Sequence, residues 1–325
     1  MPTTLLLTRS EIETLLDDDE LLQHLKSGFA ALAEAGPECR GRRFPVSLNA
    51  QDANAAGMVL APGLIPGIPA YTVKVNAKFP SHPPAIKGLV VMHSLADGGI
   101  LALLDSGYLT ARRTAAAGAV GADTLARPDS ETVSVIGCGV QGYAQLVWML
   151  KIRPIKKVFV YDTVPDNALT FAQKAGAEFG VQIEICETAK QAAGLGDIVI
   201  TATWAREPFL FCGDVRAGTH ITTLGPDGPG ECEVAAELVK ASLFFADDAA
   251  LQIEMGAIGG AGLGAEAISA TIGEVLAGRK AGRGTPDDIT IYGMVGLPFE
   301  DLAASWLVYK KALKSGIGTP VGLAA

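Results

Sequence analysis

The sequence predicts an α/β protein centred on a doubly wound parallel sheet, with a second sheet ahead of it. Three observations predict this. Beyond residue 104 helix and strand patterns alternate strictly, residues 40–104 carry period-two patterns broken by Gly and Pro, and a G-x-G-x-x-G run from Gly137 to Gly142 lies between a strand and a helix.

Taken in order, residues 8–36 read as two helices. Ser10 and Glu13 fit an S-x-x-E capping box, Leu22, Leu25, Phe29 and Leu32 recur at helical spacing, and Gly36 ends the pattern. Short strands at 44–48, 58–60, 71–75, 88–93 and 101–104 imply an antiparallel sheet. A helix over 110–125 opens the alternation, with strands at 133–136, 158–162, 182–186, 198–203, 220–224 and 243–246. Six strands joined by crossover helices make the parallel sheet. A last helix, 299–315, is amphipathic through Leu302, Trp306, Leu307 and Leu313 and is expected to pack back on the first sheet.

A chain of 325 residues, 49% hydrophobic and 19% charged, buries one large core or two moderate ones, which excludes a disordered protein. A net charge of −9 opposes binding to nucleic acid or anionic membranes. No apolar run approaches the roughly 18 residues of a membrane span, and MPTTLLLTRSEIE lacks a basic leader segment, so a cytoplasmic protein is expected. Cys39, Cys138, Cys186, Cys212 and Cys232 form no C-x-x-C pair, and the histidines are scattered; reduced thiols and no metal centre are expected.

The glycine run has a mechanism. Gly137 permits a tight turn, Gly139 lets backbone approach a pyrophosphate, Gly142 allows close helix contact, and the helix N-terminus supplies partial positive charge. The second strand ends in Asp162, placed to accept hydrogen bonds from ribose hydroxyls, and neither Thr163 nor Val164 offers a cation for a 2′-phosphate. NAD is therefore favoured over NADP.

Three further features carry charge. In the strand from Tyr71 to Phe79, the residues Thr72, Lys74, Asn76 and Lys78 share one face, so Lys74 projects to a polar side; a solvated edge lysine is the plainer alternative. Arg112 and Arg113 stand in the first turn of the 110–125 helix and oppose its dipole, a conflict that an anionic ligand would relieve; two solvated arginines are the alternative. Asp227, in Gly225-Pro-Asp-Gly-Pro-Gly230, follows the fifth parallel strand, where doubly wound sheets bind ligands, although turn chemistry alone selects the same residues.

Standing together in this order, Lys74, the 109–116 segment, Gly137–Gly142 and Gly225-x-Asp227-x-Pro-Gly-x-x-Glu233 resemble the ornithine cyclodeaminase/mu-crystallin family over nearly the whole chain. Leu103-Leu-Asp-Ser-Gly107, Ala246-Asp247-Asp248, Gly278-Arg-Lys-Ala-Gly-Arg283 and Glu300-Asp301-Leu-Ala match as well. The resemblance implies a Rossmann domain, 114–297, inserted into a mixed α/β domain, 1–113 plus 298–325, that binds substrate and forms a homodimer. It implies that Lys74 contacts the substrate carboxylate and reacting centre, that Arg113 grips that carboxylate, and that Asp227 is the acid/base residue beside the nitrogen. An arginine from Arg40, Arg42 and Arg43 completes the clamp, and Arg43 is chosen; Met58 joins the substrate side, and Lys78, on the Lys74 face, and His82 just after it offer room for a second carboxylate, with a solvated loop as the plainer alternative. Arg113, Thr114, Gly137, Gly139, Val140, Gln141, Gly142, Asp162 and Thr203 are assigned to the cofactor. The chain departs from the family where an N-G-H-P is usual after the lysine, and where F-x-S-x-G appears as Tyr292-Gly-Met-Val-Gly296.

The expected activity is an NAD(H)-dependent reductase or dehydrogenase that interconverts a small α-imino acid and an L-amino acid. A dicarboxylic substrate, iminosuccinate giving aspartate, is one form of it. The alternatives are an amino-acid cyclodeaminase that releases ammonia with NAD recycled in place, and a non-catalytic, crystallin-like ligand-binding protein.

Overall fold

The computed structural model describes residues 3–35, 39, 42–47, 57–79, 82 and 84–323. Two compact units compose the chain, Met1–Thr114 with Leu297–Ala325, and Ala115–Gly296.

The first unit opens with β1 (Thr4–Leu7), α1 (Arg9–Leu15) and α2 (Asp18–Glu34). The capping box of α1 is Thr8 with Glu11, whose Oε2 accepts from the Thr8 N–H at 2.8 Å. It is not the expected Ser10–Glu13 pair, for Glu13 instead holds Arg9 one turn away at 2.8 Å. Asp17 caps α2, and Leu21, Leu22, Leu25 and Phe29 form its buried stripe; Gly36 lies outside the described residues. Strands β2 (Phe44–Ser47), β3 (Gly57–Gly63), β4 (Ala70–Lys78), β5 (Ile86–Ser94) and β6 (Ile100–Asp105) lead into α3 (Ser106–Leu125).

The second unit alternates β7 (Thr132–Ile136), α4 (Val140–Ile152), β8 (Lys157–Tyr161), α5 (Pro165–Phe179), β9 (Gln182–Ile185), α6 (Ala189–Leu195), β10 (Ile198–Thr201) and β11 (His220–Thr223). It continues with α7 (Ala236–Lys240), β12 (Leu243–Ala246), α8 (Ala249–Met255), α9 (Ala257–Gly260), β13 (Ala270–Thr271), α10 (Ile272–Leu276) and β14 (Thr290–Gly293). These strands form one sheet in the order β13-β12-β14-β11-β10-β7-β8-β9, with every pairing parallel. The expected six strands are all present, but the sheet holds eight. Strand β14 is threaded between β11 and β12 and buried on both faces, so it shows no alternation, and β13 is only two residues long. The order reverses at β7, and there the glycine loop follows, at the switch point where such sheets take ligands.

The chain returns to the first unit with α11 (Pro298–Ser315) and β15 (Thr319–Val321). That unit's sheet runs β15-β1-β6-β5-β4-β3-β2. It is mixed rather than antiparallel, because β1, written as three leucines too short to show a period, joins β6 in parallel. Helix α11 packs on α2, β3 and β4. Its buried stripe runs through Phe299, Leu302, Ala303, Leu307 and Val308, while Leu313, expected on that stripe, is 58% exposed.

Strand β4 reverses the usual reading of an alternating strand. Its polar residues Thr72, Lys74 and Asn76 face inward, whereas Val75 is 45% exposed. Lys74 pairs across the sheet with Ala61 and Val90, both buried. On the opposite face Phe44, Leu60, Val75 and Leu89 pair in register as an exposed apolar rung.

Close packing in the second unit rests on small residues of α3. A Cβ on Gly121 would lie 2.1 Å from the ring of Tyr292, which is fully buried and cannot retreat. Gly121→Ala is therefore expected to destabilise the protein by about 1–3 kcal/mol. Gly176→Ala on α5, where nothing lies within 4 Å, should stabilise it by about 0.5–1 kcal/mol. Thermal unfolding of the two variants beside the parent checks both signs.

Candidate active site

Lys74 and Arg113 arrive from a strand and a helix and meet on one carboxylate. Lys74 Nζ lies 2.7 Å from Asp301 Oδ2, and Arg113 Nε donates to Asp301 Oδ1 at 3.0 Å. Arg113 Nη1 donates to Glu300 Oε2 at 2.6 Å, and the other Glu300 oxygen accepts from the Leu297 N–H at 2.8 Å, which closes the first turn of α11. Both carboxylates are fully buried and sit in a helix's first turn, where the dipole favours negative charge. Helix α3 begins at Ser106, so Arg113 stands well past its first turn and opposes no dipole end. The expected conflict is absent, and Arg112 is held instead by Asp18.

Burial, and then the nearby Arg113, bring the Lys74 ammonium down to about 8; Asp301 opposes the fall and Arg43 adds to it. Burial also opposes charge on Arg113, but Asp301 and Glu300 outweigh it and hold the guanidinium above its ordinary value. Burial raises the Asp301 carboxyl, yet Arg113 and Lys74 prevail and hold it below the usual range. For Glu300 burial wins, and its carboxyl lies above that range. Two cations face two carboxylates, so the pairs within the cluster balance, and Lys74 feels the charge of Arg43 besides. Among the described residues, Arg113 Nη2 has no hydrogen-bond partner, and only one carboxylate oxygen pairs with the three-donor Lys74 ammonium.

In the second unit the loop after β7 is built for close approach. Gly137 has φ 98°, and a side chain there would strike the Ala202 carbonyl at 2.4 Å. Gly139 caps α4 and faces open space, whereas a Cβ on Gly142 would meet the Gly137 carbonyl at 2.1 Å. The Gln141 Oε1 is buried without a partner among the described residues, and Val140 is exposed. Asp162, at the end of β8, accepts from the Cys138 N–H at 2.8 Å, the Val164 N–H at 2.9 Å and Asn167 Nδ2 at 3.3 Å, which leaves about one lone-pair direction for a further donor. Open backbone at Gly139, an orphaned acceptor at Gln141 and a carboxylate at the second strand fit a dinucleotide. Cys138, inside the loop, is pushed up to about 12 by burial and by Asp162, so its thiol stays protonated.

At the carboxyl ends of β10 and β11 a buried carboxylate organises two segments. Glu233 accepts from Thr201 Oγ1 at 2.6 Å, Thr203 N at 2.8 Å, Thr203 Oγ1 at 2.7 Å, Thr223 Oγ1 at 2.7 Å and Gly225 N at 3.1 Å. Asp227 follows on the same loop, half-buried, and its N–H donates to Glu231 Oε2 at 3.0 Å. Asp247, after β12, accepts from the N–H groups of Val295 and Gly296, both at 2.7 Å, and so fixes the segment that lacks the expected serine.

The structure thus gathers Lys74 and Arg113 in one unit, and Gly137, Gly139, Gly142, Asp162 and Thr203 at the carboxyl end of one sheet in the other. Arg43 is the arginine whose charge Lys74 feels; Arg42 is exposed, and Arg40 lies outside the described residues. Lys78 shares the Lys74 face and is half-buried, and His82 is exposed beyond the strand. Met58 pairs with Ala77 and stands on the opposite face from Lys74. Thr114 is half-buried on α3. Sequence reasoning assigned no role to Glu300, Asp301 or Glu233. The signal available for the first two was a pair of acids in the first turn of an amphipathic helix whose next four residues, Leu302, Ala303, Ala304 and Ser305, are all uncharged. Among the described residues no group of three or more ligating side chains could hold a metal, and no helix is long and apolar enough to cross a membrane.

Replacing Asp301 with Asn leaves two buried cations facing a single carboxylate. Asp301→Asn is expected to cost about 3–5 kcal/mol, read as a lower urea midpoint, whereas Glu13→Gln, which breaks the exposed Arg9 pair, should cost about 0–1 kcal/mol.

The model of the ornithine cyclodeaminase/mu-crystallin family matches residues 3–316. The alanine dehydrogenase of Archaeoglobus fulgidus is 32% identical over 330 residues, covering 98% of each chain. An archaeal alanine dehydrogenase dimer with bound NAD superposes with a TM-score of 0.89 at 30% identity, over 99% of both chains. The Delta(1)-pyrroline-2-carboxylate reductase of Thermococcus litoralis, in complex with NADH and L-proline, superposes with a TM-score of 0.89 at 31% identity, over 98% of this chain and 100% of that one. With a family match from the first strand to the end of the last helix, the chain belongs to the ornithine cyclodeaminase/mu-crystallin family.

Proposed function

We propose that the protein is an NAD(H)-dependent oxidoreductase that interconverts a small α-imino acid and the corresponding L-amino acid. The observation that carries this reading is the sharing of Asp301 by Lys74 and Arg113, at 2.7 and 3.0 Å, with donors left over on both cations. A pair so held is preorganised to take a carboxylate, since neither side chain needs to be ordered on binding.

The Gly137–Gly142 loop would hold the pyrophosphate of the dinucleotide, whose nicotinamide would supply or accept hydride at the substrate α-carbon. Arg113 and Arg43 grip the α-carboxylate, and Lys74 neutralises charge that develops near the reacting carbon. Asp227 exchanges the proton on nitrogen, as a general acid in reduction and a base in oxidation. Asp162 accepts from a ribose hydroxyl and repels a 2′-phosphate, which makes NAD the preferred dinucleotide. A dicarboxylic substrate such as iminosuccinate would place its second carboxylate toward Lys78 and His82. The exposed apolar rung of Phe44, Leu60, Val75 and Leu89 is the face on which a second copy sits, making a homodimer.

The decisive assay is NADH oxidation with 2-oxo acids in the presence of ammonia or methylamine, pyruvate and oxaloacetate included. Turnover is expected, with Asp227→Asn slower by about 100-fold or more. Conversion of ornithine to proline with ammonia released and no net change in NADH would overturn the reading in favour of a cyclodeaminase. NADH binding without turnover of any substrate would leave a binding protein.

The titration of Lys74 gives a second check. A 2-hydroxy acid inhibitor carries no group that ionises between neutral and alkaline pH, so its inhibition constant reports on the protein. That constant should rise about fivefold or more as pH climbs through about 8, because Lys74 loses its charge there while Arg113 keeps its own. Lys74→Met should bind more weakly throughout and show a flat profile.

A further inference from the structure

We infer that Glu233 is a positioning residue: it ties the loop that carries Asp227 to the end of strand β10 and so fixes where the acid/base carboxylate stands. The inference rests on the role proposed above for Asp227.

Glu233 is fully buried, and its two oxygens divide the work. Oε1 takes both donors of Thr203, at 2.8 and 2.7 Å, and Oε2 takes the Thr201 hydroxyl, the Thr223 hydroxyl and the Gly225 N–H, at 2.6, 2.7 and 3.1 Å. The ends of β10 and β11 and the start of the Asp227 loop therefore share one acceptor. Gly225 is required by this arrangement, since a Cβ there would stand 2.4 Å from Glu233 Oε1 and 2.5 Å from the Thr203 carbonyl. The far side of the loop is held as well, because the Phe209 and Leu210 N–H groups both reach the Glu233 carbonyl at 3.1 Å and the Cys232 N–H reaches the Ala205 carbonyl at 3.0 Å. Asp227 thus sits on a loop anchored at both ends, at Gly225 through the carboxylate that also holds Thr203, and at Cys232 and Glu233 through Ala205, Phe209 and Leu210.

The donor set also says why a carboxylate is needed. Hydroxyls can turn and accept, but the N–H groups of Thr203 and Gly225 can only donate, and one lies on each oxygen. A glutamine of the same shape must point its NH₂ at one of them. Glu233→Gln therefore forfeits one anchor while keeping the volume.

The test is a double-variant cycle on kcat in the NADH oxidation assay, with NADH affinity from fluorescence titration and fold from circular dichroism. Glu233→Gln is expected to lower kcat by about tenfold or more, and the Asp227→Asn/Glu233→Gln pair should be no slower than Asp227→Asn alone, within about twofold. Thr223→Val, which removes one donor on the Oε2 side only, should lower kcat by about two- to tenfold with NADH affinity within about twofold of the parent; it keeps the test decisive if the glutamine variant folds poorly. Effects that multiply in the pair would overturn the inference, as would parent-like turnover of Glu233→Gln or, in a poorly folding case, of Thr223→Val. Parent-like turnover of Asp227→Asn would instead sink the acid/base assignment itself, an outcome legible in that single variant.

Discussion

Buried charge must be paired, and in this molecule the pairing runs through Asp301. An ammonium and a guanidinium lie in the core of a sheet-and-helix unit because a helix from the far end of the chain brings two carboxylates to them. That requirement explains why β4 turns its polar side inward, why Glu300 and Asp301 stand in the first turn of α11, and why this helix lies across β3 and β4. Packing of Phe29 edge-on against Phe299, with ring centroids 4.9 Å apart, sets the same helix end against α2. Apolar contact places the helix, and charge pairing fixes its register.

The second unit applies a different rule at its carboxyl edge. There the backbone is the recognition surface, so the side chains that matter hold backbone in place. Asp162 fixes the glycine loop through Cys138, Glu233 joins two strand ends, and Asp247 secures Val295 and Gly296. Each is an acceptor that meets N–H groups left open where strands end and loops begin. The division of labour between the units follows: one encloses charged side chains that pair with one another, the other leaves main chain open at the ends of its strands.

How much of this was legible in the sequence depended on how local the cause was. The dinucleotide loop is written in adjacent residues, because turn, approach and helix start are all backbone properties of Gly137 to Gly142. Asp162 ends the next strand and could be found by the same logic. The meaning of Lys74 could not, since a strand reading Thr72, Lys74, Asn76 looks solvated until Asp301 is placed beside it. Arg113 stands out in the sequence through a helix start four residues too late, so the dipole reason fails, and its actual neighbour, Asp301, lies 188 residues away along the chain. Glu233 hides behind a run of Gly and Pro that turn chemistry already explains. Strands β1 and β14 escaped because one is too short to show a period and the other is buried on both faces.

The position of Asp301 along the chain has a consequence for biosynthesis. A nascent polypeptide that has released its second unit from the ribosome still holds Lys74 and Arg113 without their carboxylates, since these belong to the segment after Leu297. The inserted unit is contiguous and can fold as it emerges, while the surrounding one must wait for the last helix. A message truncated late in its reading frame would thus yield a nucleotide-binding module bearing an incomplete partner that exposes apolar sheet, a species suited to recognition by chaperones and proteases.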